Sequence, residues 1–331
     1  MLKMEKVLVT GGAGFIGSHL CDALVKRGLE VVCVDNLITG SKKNITHLLG
    51  SKKFTFLKQD IVQPFSNSAS KKLGDVSFIF HLASPASPVD YQNYPEETAL
   101  VNSLGTINML RLAVKNKARF LFASTSEVYG DPLMHPQKET YWGNVNSFGP
   151  RSCYDEGKRF GETLTYVYIQ KYGLDARIVR IFNTYGPRMQ KDDGRVVSNF
   201  INQVLEEKTL TIYGDGSQTR SFCYVSDLVR GIEKVMFKNR LKGEIVNLGN
   251  SEEWTILELA EKIKKLTGSK SKIVFKKLPK NDPKRRRPDI SKAKRMLEWK
   301  PRVSLDKELK RTIEYYKSLQ QNESQTILQK S

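Results

Sequence analysis

Short apolar runs recur along the first half of the chain at Val7–Thr10, Glu30–Asp35, Phe54–Gln59, Phe78–Leu82, Phe120–Ser124 and Arg177–Phe182, separated by segments long enough to be helices. Runs of this length, apolar on consecutive positions, predict strands buried on both faces, and their alternation with helices predicts a parallel sheet covered on two sides. Between them, Ser18–Arg27 and Glu97–Lys115 are predicted helices, the second carrying Leu100, Leu104, Ile107 and Val114 on one stripe. A further helix carries Phe160, Leu164 and Val167 at similar spacing. Such stripes predict faces turned to the core, or, where the large residues point outward, a pair of helices that meet a second copy of the chain.

From Phe182 the pattern changes to Gly and Pro punctuation at Gly186-Pro187, Gly194, Gly214 and Gly216. It then returns to a strand at Glu244–Leu248 and a helix at Thr255–Leu266. The expected organisation is a doubly wound α/β domain of the Rossmann type from residues 1–180 and 221–250. A smaller, discontinuous C-terminal substrate domain comes from residues 181–220 and 251–318, and a polar tail from residues 319–331.

Composition changes this picture little. A chain of 331 residues with 39% hydrophobic residues buries a full core. Residues Met1 to Lys6 run directly into an apolar strand, so no leader is expected, and no apolar run reaches the roughly 20 residues of a spanning helix. The four cysteines lack CxxC spacing and there are four histidines, so neither a metal nor a disulfide framework is expected, and a cytoplasmic setting is. The net charge of +19 is spread over short pairs such as Lys42-Lys43 and Lys276-Lys277 without interleaved aromatics. Nucleic acid and membrane partners are therefore not expected, and the charge is read as steering anionic ligands to the site.

Candidate chemistry lies at the strand ends. Gly11, Gly14 and Gly17 stand between the first strand and first helix, where bare backbone lets a helix N-terminus face a pyrophosphate. Asp35, ending the second strand, is placed to accept from adenosine ribose hydroxyls and to repel a 2′-phosphate, which favours NAD over NADP. Asp60-Ile61 would flank adenine and Leu82 to Ser84 would pass along the cofactor, with His81 read as a packed strand-end histidine. Tyr154 and Lys158, four residues apart on a helix, share one face. The ammonium there is expected to lower the phenol pKa enough for it to act as a base. Thr125, ending a strand, is placed to share the substrate's alcohol proton with that phenol.

The arrangement resembles the extended short-chain dehydrogenase/reductase family of nucleotide-sugar enzymes. The segments HLASPASP (81–88), STSEVYGDP (124–132), RSCYDEGKR (151–159), RIFNTYGPRM (180–189), DDGRVVSNF (192–200), YGDGSQTRSFCYVSD (213–227) and RRPDI (286–290) are similar to those of its UDP-glucuronate decarboxylases. The resemblance implies NAD as cofactor, UDP-glucuronate as substrate, UDP-xylose as product and a homodimer. It extends the cofactor set to Phe15, Ile16, Asn36, Thr39, Gly40 and Thr184, with Arg195 near the cofactor or the dimer contact. It places Asn183, Arg188, Tyr213, Arg286 and Asp289 around the UDP half, Tyr91 over the sugar, and Arg220 at the sugar acid or phosphate. Ser126-Glu127 follow Thr125 where related dehydratases carry an Asp-Glu pair, so one carboxylate of an elimination pair is missing, and Glu127 is expected to seat the sugar or steer water. The chain departs from relatives at Leu100 and Val114, where lysines are usual. An oxidative decarboxylase that releases a 4-keto-pentose and NADH, another UDP-sugar epimerase or dehydratase, and an NAD-binding interaction protein remain open from the sequence.

Overall fold

The computed structural model describes residues 5–277 and 285–328. Seven parallel strands form the central sheet. They are β1 (Lys6–Thr10), β2 (Glu30–Asp35), β3 (Phe54–Lys58), β4 (Phe78–His81), β5 (Arg119–Thr125), β6 (Ala176–Ile181) and the later strand Ile245–Leu248. The spatial order is β3, β2, β1, β4, β5, β6 and then Ile245–Leu248, so the chain reverses direction across the sheet between β1 and β4. A crevice opens beyond the strand ends at such a reversal. Successive residues point to opposite faces: Val7, Val9, Val31, Cys33 and Leu121 enter one core cluster, and Leu8, Val32, Val34, Phe120 and Phe122 enter the other. This is why the strands read as unbroken apolar runs.

Beyond β6 the described residues form three small sheets. Thr184–Tyr185 pairs with Cys223–Tyr224, Leu210–Tyr213 pairs with Ile273–Lys276, and Thr219–Ser221 lies between Glu253–Thr255 and Arg285–Arg286. One core cluster runs from Val7 and Val9 under the central sheet to Leu259, Ile263 and Tyr316, so this smaller part shares its core with the larger. Among the described residues, no helix is long and apolar enough to cross a membrane.

Two elements are defined further by the structure. The striped helices turn their large apolar residues outward: Leu100 and Leu104 are 39% and 40% exposed, Phe160 47% and Val167 43%. Where the two helices face each other and the sheet, small or polar groups such as Asn102, Gly105 and Gly161 are buried, while Met109 and Leu110 still enter the core. A Cβ on Gly157 would sit 3.1 Å from that of Asn102, and one on Gly161 would strike the Phe122 ring. The first of these helices is also interrupted, with α-helical Pro95–Leu100 and Thr106–Asn116 flanking a wider π turn at Val101–Gly105. The expected polar tail is helical for most of its length. The last helix runs Leu305–Leu328, carried on from a turn anchored by buried Leu309, Ile313 and Tyr316, and residues 329–331 lie outside the described ones.

Candidate active site

The ends of β1, β2, β4, β5 and β6 open into a cleft with a cavity of about 940 Å³ that continues under the smaller part of the molecule. At one end, the turn after β1 carries Gly11 with φ 70°, and a Cβ there would lie 2.8 Å from the Ala83 backbone nitrogen. A Cβ on Gly17 would overlap the Gly11 carbonyl oxygen. Only glycine lets helix α1 (Phe15–Lys26) begin this close to the strand, with its free amides facing the cleft.

Asp35 closes this end. Its Oδ2 accepts from the Ala13 amide at 3.0 Å and its Oδ1 from the Leu37 amide at 2.8 Å, and both oxygens keep acceptor capacity for hydroxyls in the cleft. Burial raises its pKa, against the opposing backbone amides of Leu37, Ala13 and Gly14. A Cβ on Gly40 would press on this carboxylate at 2.7 Å. Asn36 Nδ2 donates to Asp60 Oδ2 at 3.0 Å, and Asp60 Oδ1 accepts the Val62 amide at 2.8 Å, which fixes the loop after β3. A bare-backbone turn at a helix N-terminus with a ribose-accepting carboxylate fits the dinucleotide expected from the sequence. His81 is the packed histidine expected: Nδ1 meets Thr10 Oγ1 at 2.8 Å and Nε2 meets Thr106 Oγ1 at 3.0 Å, and burial, with the nearby Lys158 charge, pushes its pKa down to about 3.

At the centre, the helix Ser152–Tyr172 presents Tyr154 and Lys158 to the cleft. Lys158 Nζ donates to the Ala123 carbonyl oxygen at 2.9 Å and lies 5.8 Å from the Tyr154 ring centroid. Thr125 is hydrogen-bonded to the Tyr154 phenol, and its Oγ1 also accepts the Glu127 amide at 3.2 Å, capping the turn Ser126–Tyr129. Tyr91 stacks on Tyr154 with centroids 5.1 Å apart and planes at 7°, and its buried hydroxyl has no hydrogen-bond partner among the described residues.

The electrostatics differ from the sequence expectation. Burial pushes the Lys158 ammonium down to about 7, and burial also raises the Tyr154 phenol above its ordinary value, against the Thr125 hydrogen bond. The protein by itself therefore does not hold a phenolate. A dry pocket penalises both charges, and the spacing of four residues says nothing about that burial.

Glu127 lies beside Thr125, gripped by two arginines. Arg286 takes both carboxylate oxygens, one of them at 2.8 Å, and Arg151 Nη2 donates to Oε2 at 2.7 Å. Burial works to raise its pKa, but the two guanidiniums overcome it and hold the carboxyl well below the usual carboxylate range. Glu127 is thus a fixed anion and not a proton donor near neutral pH.

Most residues expected around the ligands do line the cleft, including Thr39, Ser84, Asn183, Thr184, Arg195, Tyr213 and Arg220. Arg220 is buried and donates to the Thr219 carbonyl oxygen at 2.9 Å. Two expected substrate contacts do not line it. Arg188 has a left-handed backbone, φ 68°, which turns its side chain to Asp22 on α1 at 2.8 Å. Asp289 spends its carboxylate on the Ser291 amide at 2.8 Å, at the start of the helix Ser291–Leu297. Arg151 was missed by the sequence reading. The signal was present: an arginine at the N-cap of a helix opposes the helix dipole and needs an acidic partner elsewhere in the fold.

The model of the GDP-mannose 4,6 dehydratase family matches residues 8–312. A UDP-glucuronic acid decarboxylase 1 of Danio rerio is 53% identical over 94% of this chain and 72% of its own length. One from Arabidopsis thaliana is 52% identical over 98% of this chain and 72% of its own length. The crystal structure of a UDP-glucuronic acid 4-epimerase from Bacillus cereus, in complex with UDP-glucuronic acid and NAD, superposes with a TM-score of 0.86 at 34% identity, covering 95% of this chain and 99% of that one.

Proposed function

Since the chain belongs to the GDP-mannose 4,6-dehydratase family and, within it, groups with the UDP-glucuronic acid decarboxylases, we propose that it converts UDP-glucuronate to UDP-xylose and carbon dioxide, with NAD held throughout. The observation that carries this reading is the single carboxylate Glu127, clamped as an anion beside the Thr125–Tyr154–Lys158 group. A 4,6-elimination needs an acid and a base after the threonine. Here the first of those positions is Ser126, and the second is a carboxylate that the arginines keep ionised.

Gly11, Gly14 and Gly17 would hold the pyrophosphate of the cofactor, Asp35 its adenosine ribose and Lys158 its nicotinamide ribose. When bound, NAD⁺ supplies the hydride acceptor for C4 and a positive charge beside the phenol. Tyr154, relayed through Thr125, takes the proton of the C4 hydroxyl. The resulting 4-ketone makes the sugar a β-keto acid. The C5 carboxylate leaves as carbon dioxide, and its bonding electrons pass to the ketone oxygen as an enolate. Tyr154 and Thr125 donate hydrogen bonds to that oxygen, where the negative charge develops. Solvent then protonates C5, and the phenol returns its proton to the C4 oxygen as the ketone is reduced.

Glu127 serves this step indirectly. A guanidinium free to take the C5 carboxylate in two hydrogen bonds would stabilise the ground state and slow its loss. By occupying Arg286 and Arg151, Glu127 holds both in place and offsets one of their two charges. The buried, unpartnered Tyr91 hydroxyl is a donor available to the sugar.

The test is proton NMR of the protein with UDP-glucuronate and NAD⁺, with absorbance at 340 nm followed in parallel. A UDP-xylose anomeric signal without lasting absorbance supports the reading. A 4-keto-pentose with stoichiometric NADH selects the oxidative route, and no change excludes UDP-glucuronate as substrate.

A homodimer belongs to the same proposal. It is supported by the outward Leu100, Leu104, Phe160 and Val167 on two helices that pack side by side. The double substitution Leu104→Glu with Phe160→Glu is expected to shift the sedimentation mass at micromolar concentration from dimer to monomer. A wild-type chain that already sediments as a monomer refutes this. The four cysteines are free thiols, which suits the reducing, cytoplasmic setting read from the sequence.

A further inference from the structure

Retention of the cofactor through a full cycle needs something that slows its escape, and the segment from Pro187 to Arg195 is built across the way out. Met189, Gln190, Asp192, Gly194 and Arg195 line the cleft from the side of the smaller domain. The segment touches the opposite wall at two points. Gln190 Nε2 donates to the Thr39 carbonyl oxygen at 2.5 Å, and at Gly194, φ 78°, even an added Cβ would lie 2.6 Å from Val89. Thr39 and Val89 both line the cleft, so the segment spans its mouth between the loops after β2 and β4.

The foot of this strap is fixed on α1, the same helix whose N-terminus faces the pyrophosphate position. His19 Nε2 meets the Pro187 carbonyl oxygen at 2.9 Å, and Arg188 Nη1 forms an ion pair with Asp22 Oδ2 at 2.8 Å. Asp22 Oδ1 takes His47 Nε2 at 2.6 Å, which ties in the 3₁₀ turn Lys42–Leu48 beyond the loop that carries Thr39. From the other side, Tyr316 Oη donates to the Met189 carbonyl oxygen at 3.0 Å. Arg188 has a left-handed backbone, φ 68°, which few residues other than glycine adopt. That backbone aims the Arg188 side chain at Asp22.

We propose that Asp22 and Arg188 are positioning residues that latch this strap over the bound dinucleotide and slow its release between the two hydride transfers. The proposal rests on the NAD reading above. It assigns Arg188 to the latch, where the sequence placed it on the substrate, and gives Asp22, which touches neither ligand position, a part in keeping the decarboxylation free of net redox change. A looser latch turns a retained-cofactor enzyme toward one that leaks NADH and a 4-keto sugar.

The experiment is the dissociation rate of NADH, read as loss of its fluorescence when the full-length protein loaded with NADH is chased with excess NAD⁺, with no sugar nucleotide present. Asp22→Ala is expected to speed release about fivefold, the size set by losing one partly exposed ion pair. Asp22→Glu, which keeps the charge, is expected to restore slow release, an outcome that a general loosening of α1 does not produce. An unchanged dissociation rate in folded Asp22→Ala overturns the proposal. If circular dichroism shows that Asp22→Ala has lost its fold, Gln190→Ala decides instead: faster release supports the strap, and an unchanged rate overturns it. Because no sugar is present, failure here is separate from failure of the decarboxylase reading. In that case NADH release would respond to Asp22 while UDP-glucuronate stayed intact.

Discussion

Tyr154→Phe is expected to reduce turnover on the order of 10³-fold, within the range that a positioned general base supplies, while UDP binding measured by titration calorimetry is unchanged. The substitution keeps the ring stacked on Tyr91 at 5.1 Å and removes only the hydroxyl that meets Thr125. The effect is therefore chemical rather than a collapse of packing. Burial holds the phenol above its ordinary value in the protein alone, so the rate is expected to rise with pH as the base form is populated. A Tyr154→Phe enzyme that turns over at the wild-type rate removes Tyr154 from the base role.

The second large effect is expected at Glu127. Glu127→Ala leaves the buried Arg286 and Arg151 guanidiniums without their shared anion, and breaking a buried pair in this way costs about 3–5 kcal/mol. Thermal unfolding at neutral pH should show that loss, together with a fall in kcat as both arginines move. The pH dependence follows with a definite sign. The folded-state pKa of Glu127 lies below its unfolded value of about 4.3, so its contribution to stability is complete above that value and is lost as the pH falls toward the folded pKa. Wild-type melting temperature should therefore fall more steeply than that of Glu127→Gln between about pH 5 and pH 3. Parallel acid limbs for the two proteins would show that Glu127 is not clamped.

The parts of the molecule legible in the sequence are those set by local pattern. The strand runs from Val7 to Ile181 lie within a residue or two of where apolar periodicity put them, because a strand covered on both faces has no polar side to blur it. Gly11 and Gly17 were legible for a similar reason: only glycine tolerates the approach of α1 to β1. The stripes at Leu100, Leu104 and Phe160 misled because periodicity reports amphipathicity and does not say which face the core takes. Close helix packing through Gly157 and Gly161 gave the core the small side.

Long-range contacts were the least legible. Glu127 and Arg286 are 159 residues apart in sequence, and no local rule joins them or draws in Arg151. Arg188 sits in a segment that resembles the family throughout. A single left-handed backbone angle, invisible in the residue order, sends its side chain to α1 instead of the cleft. The depressed pKa expected for Tyr154 failed for the same kind of reason, since the spacing to Lys158 was right but the dryness around both groups is a property of the folded cleft.

The central claim is that one hydride leaves C4 of UDP-glucuronate and returns to the same carbon after carbon dioxide has gone. UDP-glucuronate carrying deuterium at C4, incubated with the protein and unlabelled NAD⁺, tests it most directly when the product is read by NMR and mass spectrometry. The account predicts UDP-xylose that retains deuterium at C4. Deuterium found in free NADH beside a 4-keto-pentose, or UDP-xylose that has lost the label, would contradict it.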